Sequence, residues 1–267
     1  MTTPLNPLAV VTGASSGIGL ELAHQLAANG FDIIACAEDD ELAIAADALR
    51  ANNVAVEAVR ADLTKPDGVE QLVERVTGTG RPVDALVVNA GVGVSGAFVG
   101  DSTLEDQLYV VDLNVRSAVH LTKRLLPAMA ARGSGRVLFT SSIAAVMPGP
   151  FQTVYNASKA FLLSFSEALR EELKDSGVTV TALMPGPTET EFFDRADMGD
   201  TKLGASEHKD DPAVVAKQGY EAMMAGKDRV VAGSFANKAQ AAAAKVLPDK
   251  AMAAMHRKMS EPGSAEK

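Results

Sequence analysis

Short runs of Val, Ile, Leu and Ala recur along this chain, and between them lie longer stretches in which apolar residues return every three or four positions. An unbroken apolar run reads as a strand covered on both faces, and the longer period is that of an amphipathic helix. The pattern predicts strands over Leu8–Thr12, Asp32–Cys36, Ala55–Ala61, Ala85–Asn89, Gly135–Ser141, Thr179–Met184 and Arg229–Val231. Helices are expected over Gly17–Asn29, Asp39–Asn52, Lys65–Thr77, Leu104–Ala131 and Val154–Ser176, each stopping near a Gly, Asn or Ser. Strands alternating with helices make βαβ units and a parallel sheet. The expected fold is therefore α/β: a doubly wound, Rossmann-type parallel sheet of about seven strands with helices on both faces. Such sheets bind ligands at the carboxyl ends of their strands.

Two segments depart from the pattern. From Pro185 to Asp211 the periodicity gives way to a polar stretch, expected to be a lid (185–211) above the site. After Gly233 the chain is Ala-rich and carries Lys238, Lys245, Lys250, Arg257 and Lys258, with Met252, Met255 and Met259 at helical spacing and Pro248 between two short helices. The expected division is a dinucleotide-binding and catalytic body over 1–232 and a helical tail over 233–267 that packs on the body or a neighbouring subunit. A tail that covers the substrate pocket and a tail lying on an anionic membrane are the other two readings.

Composition narrows the class. With 267 residues, 47% of them hydrophobic, one large α/β domain is the default. The net charge of −9 is the wrong sign for a phosphate-backbone binder, which argues against a nucleic-acid partner. Cys36 is the single cysteine and sits in an apolar run, so no disulfide forms within one chain and the residue reads as a small hydrophobe. The N-terminus, Met1 to Pro7, lacks a charged and apolar leader, and no later run has bilayer length, so the chain is expected to be cytoplasmic with no membrane partner. His24, His120, His208 and His256 fit no metal pattern and read as surface or packing residues.

The candidate chemistry lies in two motifs. Tyr155 and Lys159, four apart, share one helix face, and an ammonium beside a phenol lowers its pKa toward the working range of an acid/base. Thr12-Gly13-Ala14-Ser15-Ser16-Gly17-Ile18-Gly19 follows the first strand and opens the first helix, where glycines let backbone approach a pyrophosphate. At the end of the second strand, Glu38-Asp39-Asp40-Glu41 would repel a 2′-phosphate, and no Arg or Lys stands beside it in sequence. NAD is accordingly the expected cofactor, with Glu38 on the adenosine ribose and NADP as the alternative; Asp39 or Asp40 is expected to cap the following helix.

Together these motifs resemble the classical short-chain dehydrogenase/reductase (SDR) family over roughly Leu8 to Val231. The resemblance implies cofactor contacts from Gly13, Ser15, Ser16, Gly17, Ile18 and Gly19, from the adenine pair Asp62-Leu63, and from Asn89-Ala90-Gly91, where Val88 replaces a second Asn often found in the family. It implies a catalytic set of Asn114, Ser142, Tyr155 and Lys159. In it Tyr155 is the acid/base, Ser142 polarises the substrate oxygen, Lys159 tunes the phenol and holds the nicotinamide ribose, and Asn114 interrupts its helix and holds a relay water on its backbone carbonyl. Pro185-Gly186, Thr188 and Thr190 would embrace the nicotinamide and pyrophosphate. Ser141 points to the other side of its strand and is expected to bond backbone.

The implied activity is hydride transfer between a nicotinamide cofactor and a secondary alcohol or its ketone or aldehyde, in a homodimer or homotetramer. A sugar-nucleotide epimerase or dehydratase and a catalytically inactive nucleotide sensor are the competing functions; no metal enters any of them. The substrate pocket is expected to be apolar, lined by Val92, Val94, Ala144, Met147, Pro148, Phe151, Met184, Phe192 and Phe193.

Overall fold

In a computed structural model, which describes residues 5–244 and 246–265, the chain folds as seven parallel strands with helices on both faces. Met1 to Pro4 of the expected leaderless start, and Lys245 of the basic tail, lie outside the described residues. The strands are β1 (Leu8–Thr12), β2 (Asp32–Ala37), β3 (Val56–Arg60), β4 (Val83–Val88), β5 (Gly135–Thr140), β6 (Val178–Pro185) and β7 (Arg229–Ala232). They lie in the order β3-β2-β1-β4-β5-β6-β7. The order reverses between β1 and β4, and the crevice opens there.

The apolar runs are continuous because each strand feeds two cores. Val10, Leu86 and Phe139 point into one, with α3 (Pro66–Gly78) and α5 (Ser117–Arg132) packed on them. Their neighbours Val11, Val87 and Leu138 point into the other, under α1 (Gly17–Ala28), α2 (Glu41–Arg50) and α8 (Pro212–Met224). Cys36 lies in the first core, where burial pushes its thiol up to about 12 and keeps it unreactive.

Three departures from the expected elements matter for the site. The predicted helix Leu104–Ala131 is α4 (Leu104–Val111), a π-helical turn at Asp112–Arg116, and then α5. The extra residue in that turn is accommodated around Asn114, whose side chain bonds both backbone groups of Val92, accepting from N and donating to O at 2.9 Å each. The second departure is in 185–211, which has structure of its own: α7 (Phe192–Arg195) seats Phe193 in a small cluster with Ala196, Met198 and Leu203. The third is the acidic run after β2. Asp40 occupies the N-cap of α2 without a side-chain cap bond, and Asp39 makes none either, so helix capping does not explain these acids.

The long helix α6 (Thr153–Glu172) carries Tyr155 and Lys159 at its start. Two helices follow β7: α9 (Phe235–Ala243) and α10 (Asp249–Ser260), parted by Pro248. Among the described residues no helix is long and apolar enough to cross a membrane, and no cluster of His, Cys, Asp or Glu could hold a metal.

Candidate active site

A single cleft runs along the carboxyl ends of β1, β2, β4, β5 and β6, from the acids after β2 to the C-terminal helix. At one end the chain turns sharply out of β1. Gly13 has φ +64°, and a Cβ on it would meet the Asn89 amide at 2.9 Å; a Cβ on Gly19 would stand 1.9 Å from the Gly13 carbonyl. Only glycine fits either place, and the space so kept is a cradle open to an extended phosphate group at the start of α1. Asn89 fixes the cradle: its amide donates to the carbonyl of Thr12 at 3.1 Å and its Oδ1 accepts from Thr140 at 2.9 Å, tying β1, β4 and β5 together.

The acids at the next position complete the nucleotide end. Asp39 accepts from Ser15 Oγ at 2.9 Å through Oδ2, while Oδ1 is buried and has no hydrogen-bond partner among the described residues. A buried carboxylate oxygen left bare is an acceptor awaiting a donor such as a ribose hydroxyl. Glu38 accepts from the Tyr109 hydroxyl at 3.1 Å. The expectation that no cation stands nearby is corrected: Arg60 from β3 donates to the Glu38 carbonyl at 2.9 Å and pairs with Asp40, and Arg195 from α7 lies 3.8 Å from Asp39 and 2.6 Å from Glu191. Both guanidiniums are already matched with carboxylates.

At the reacting end, Ser142, Tyr155 and Lys159 line the cleft together, and Ser142 Oγ accepts from the Ala144 N–H at 3.1 Å. Lys159 Nζ donates to the Thr140 carbonyl at 3.0 Å and sits 5.7 Å from the Tyr155 ring centre. Burial pushes Tyr155 up to about 12, with Ser142 working the other way, and burial also pushes Lys159 down to about 8. Desolvation is the first cause of both shifts, and the Lys159 Nζ is held on a backbone carbonyl. Ser141 turns away and donates to the Lys159 carbonyl at 2.8 Å.

Most of the expected cofactor residues line the cleft: Gly13, Ser15, Ser16, Gly17, Ile18, Gly19, Glu38, Leu63, Asn89, Ala90, Gly91, Gly186, Thr188 and Thr190. Asp62 does not, because its carboxylate folds back onto the backbone N–H of Thr64 at 2.9 Å. Pro185 contributes only a carbonyl behind Ser142, at 3.4 Å. Asn114 stands behind the wall, donating to Ser158 Oγ at 2.9 Å.

On the substrate side Val92, Ala144, Met147, Phe192 and Phe193 line the cleft as expected. Val94, Pro148, Phe151 and Met184 do not; Met184 is consumed in a small core with Leu163 and Ala182, and Phe151 faces Arg257. Their places are taken by Gln152, Leu203, Gln240, Met255, His256, Met259 and Ser260. His256 is thus buried in the wall rather than on the surface. The Met255 and Met259 stripe was the signal for this face, since His256 and Ser260 lie beside it at the same spacing.

Comparison with known proteins agrees with this arrangement. Residues 7–200 match the model of the short chain dehydrogenase family. An uncharacterized oxidoreductase of Escherichia coli K12, YbbO, is 36% identical over 189 residues, 69% of this chain and 67% of that protein. Among solved structures, a short-chain dehydrogenase from Sphingobium yanoikuyae in complex with NADPH superposes with a TM-score of 0.78 at 30% identity, covering 84% of this chain and 87% of that one. A short chain dehydrogenase/reductase from Burkholderia phymatum in complex with NAD shares the fold, with a TM-score of 0.77 at 24% identity over 92% and 94% of the two chains. With a glycine cradle at one end of the cleft and Ser142, Tyr155 and Lys159 at the other, on this sheet, the chain belongs to the short-chain dehydrogenase family as an NAD(P)-dependent oxidoreductase.

Proposed function

We propose that the enzyme interconverts a secondary alcohol and its ketone, or a primary alcohol and its aldehyde, with NAD(H) used in preference to NADP(H). The observation that carries the reaction is Tyr155, lining the cleft with Ser142 and standing one helical turn from Lys159. The bound nicotinamide supplies or accepts the hydride. In the reducing direction the Tyr155 O–H gives its proton to the substrate oxygen as that oxygen gains charge, and Ser142 Oγ donates a second hydrogen bond to it. The Lys159 ammonium stabilises the phenolate left behind, and Asn114 fixes the backbone around it. Oxidation runs the same proton backwards.

The bare Asp39 oxygen and the paired state of Arg60 and Arg195 support NAD(H): a 2′-phosphate there would face carboxylates whose cations are already engaged. Asp39 joins Glu38 as a ribose ligand. The body over 1–232 carries this chemistry, the segment 185–211 closes over it, and the tail over 233–267 completes the substrate wall. A buried lone cysteine suits a reducing, cytoplasmic setting.

Assembly as a homodimer or homotetramer is supported by α4, where Leu104, Leu108 and Val111 form a stripe exposed at 67%, 50% and 37%, with Phe161 of α6 exposed at 38%. Tyr155→Phe tests the reaction. NADH affinity is expected to stay within about twofold while turnover falls at least ~10²-fold; substantial turnover in that variant would remove the central claim.

A further inference from the structure

α10 brings two polar side chains to the substrate end of the cleft, four residues apart and so on one helix face. Ser260 is fully buried, lines the cleft, and its Oγ has no hydrogen-bond partner among the described residues. Buried hydroxyls are nearly always bonded, so a bare one in a cavity wall marks a missing ligand atom. His256 is 7% exposed and lines the same wall. Its Nδ1 lies 3.2 Å from the Pro150 carbonyl. A carbonyl only accepts, so the proton sits on Nδ1 and leaves Nε2 of the neutral ring as an acceptor. Burial holds the imidazole in that neutral form, against the opposing pull of the Pro150 bond.

The pair is fixed in place. The Leu203 N–H donates to the Met259 carbonyl at 3.0 Å, the Lys202 N–H to Ser264 Oγ at 3.0 Å, and the Gly263 N–H to Asp200 Oδ2 at 2.7 Å. On the other side the Arg257 guanidinium lies 5.2 Å from the centre of the Phe151 ring. The helix is therefore latched to two separate loops, with its polar face held toward the cleft. The surrounding wall is mostly apolar, from Met147, Phe192, Leu203, Met255 and Met259, and the amides of Gln152 and Gln240 in it are turned onto the sulfurs of Met198 and Met147.

We infer that His256 and Ser260 form a subsite for an alcohol hydroxyl carried by the substrate at the end remote from the reacting carbonyl. That hydroxyl donates to His256 Nε2 and accepts from Ser260 Oγ, so each partner is satisfied once. The substrates are then hydroxylated ketones and the corresponding diols, with an apolar chain between the two oxygens. This rests on the hydride-transfer reading above only in placing the reacting oxygen at Tyr155.

The experiment is calorimetric titration of the enzyme saturated with NAD+, with which a ketone forms no product, using methyl ketones of graded chain length and the same ketones bearing a terminal hydroxyl. At the chain length that spans the cleft, the hydroxy ketone is expected to bind at least about fivefold tighter than its parent, the gain of one net hydrogen bond. Ser260→Ala and His256→Phe should each bring the two ketones to equal affinity, and His256→Gln, which keeps an acceptor, should restore part of the difference. Equal affinities in the wild type at every chain length, no binding of any hydroxy ketone, or a preference that survives in both variants would overturn the subsite. Turnover of the same ketones reads the other claim separately. A hydroxy ketone bound in preference but never reduced counts against hydride transfer and leaves the subsite standing; ketones reduced without preference do the reverse.

Discussion

Replacing Lys159 by Met keeps the length of the side chain and removes a buried charge, and the expected consequence for stability can be worked from the site. Burial lowers the lysine from 10.5 to about 8. In the folded chain the proton leaves near pH 8, while the unfolded chain holds it until about 10.5, so between those values the unfolded state binds more protons and stability rises with pH. Below that window both states are protonated and the whole penalty remains, about 3 kcal/mol for this shift. The methionine variant does not titrate. Its stability relative to wild type should therefore fall by about 2 to 3 kcal/mol between roughly pH 7 and pH 10, whatever the substitution costs in packing or in the lost bond to Thr140, because those terms cancel in the difference. Urea unfolding of both proteins at several pH values, fitted with a common m-value, gives the quantity directly. Tyr155 adds little, since its own change lies above pH 10, where burial acts in the opposite direction. Two stability curves that stay parallel from pH 7 to pH 10 would show that the ammonium is solvated, and the account of a dry Tyr155–Lys159 pair would be wrong. The same variant should lose both turnover and NADH affinity if one ammonium serves phenol and ribose.

Three further outcomes are expected. Gly19→Ala puts a Cβ 1.9 Å from the Gly13 carbonyl and 2.4 Å from the Asn89 amide, so it should cost at least about 2 kcal/mol and abolish NADH binding; wild-type values in thermal unfolding and titration would refute the cradle. Asp39→Asn should weaken NADH at least about tenfold, the scale of a charged hydrogen bond, and narrow the gap between NADH and NADPH; tighter NADPH binding by the wild type under one buffer would sink the NAD preference. Leu108→Asp, at the middle of the exposed α4 stripe, should convert an oligomer to monomer in sedimentation velocity, and a wild-type monomer at micromolar concentration would refute the interface.

What the sequence carried and what it did not divides along distance in the chain. The strands were legible because a run such as Leu8-Ala9-Val10-Val11 is apolar at every position, a pattern that only a strand packed on both faces requires, and both faces are indeed covered. Tyr155 and Lys159 were legible because a helix turn brings them together by itself. The π turn in the predicted helix Leu104–Ala131 was marked only by the family resemblance at Asn114, since Asp112-Leu113-Asn114-Val115-Arg116 holds no breaker and Pro127 sits within α5; the turn is stabilised by bonds from Asn114 to Val92, far away in sequence. Arg60 and Arg195 reach the acids after β2 from a neighbouring strand and from α7, which no window around Glu38 could contain.

The same limit governs the tail. Met252, Met255 and Met259 mark a helix with one apolar face, and periodicity alone cannot say whether that face meets a core or a ligand. The fold splits the stripe: Met252 is 1% exposed and packed away, while Met255 and Met259 line the cleft with His256 and Ser260 beside them. On the subsite inferred above, the buried and unpaired Ser260 hydroxyl at the last turn of α10 is the atom that a substrate hydroxyl completes. That misfit between an apolar pattern and an unpaired polar atom points to the ligand, and it became visible only once the neighbours of Ser260 were known.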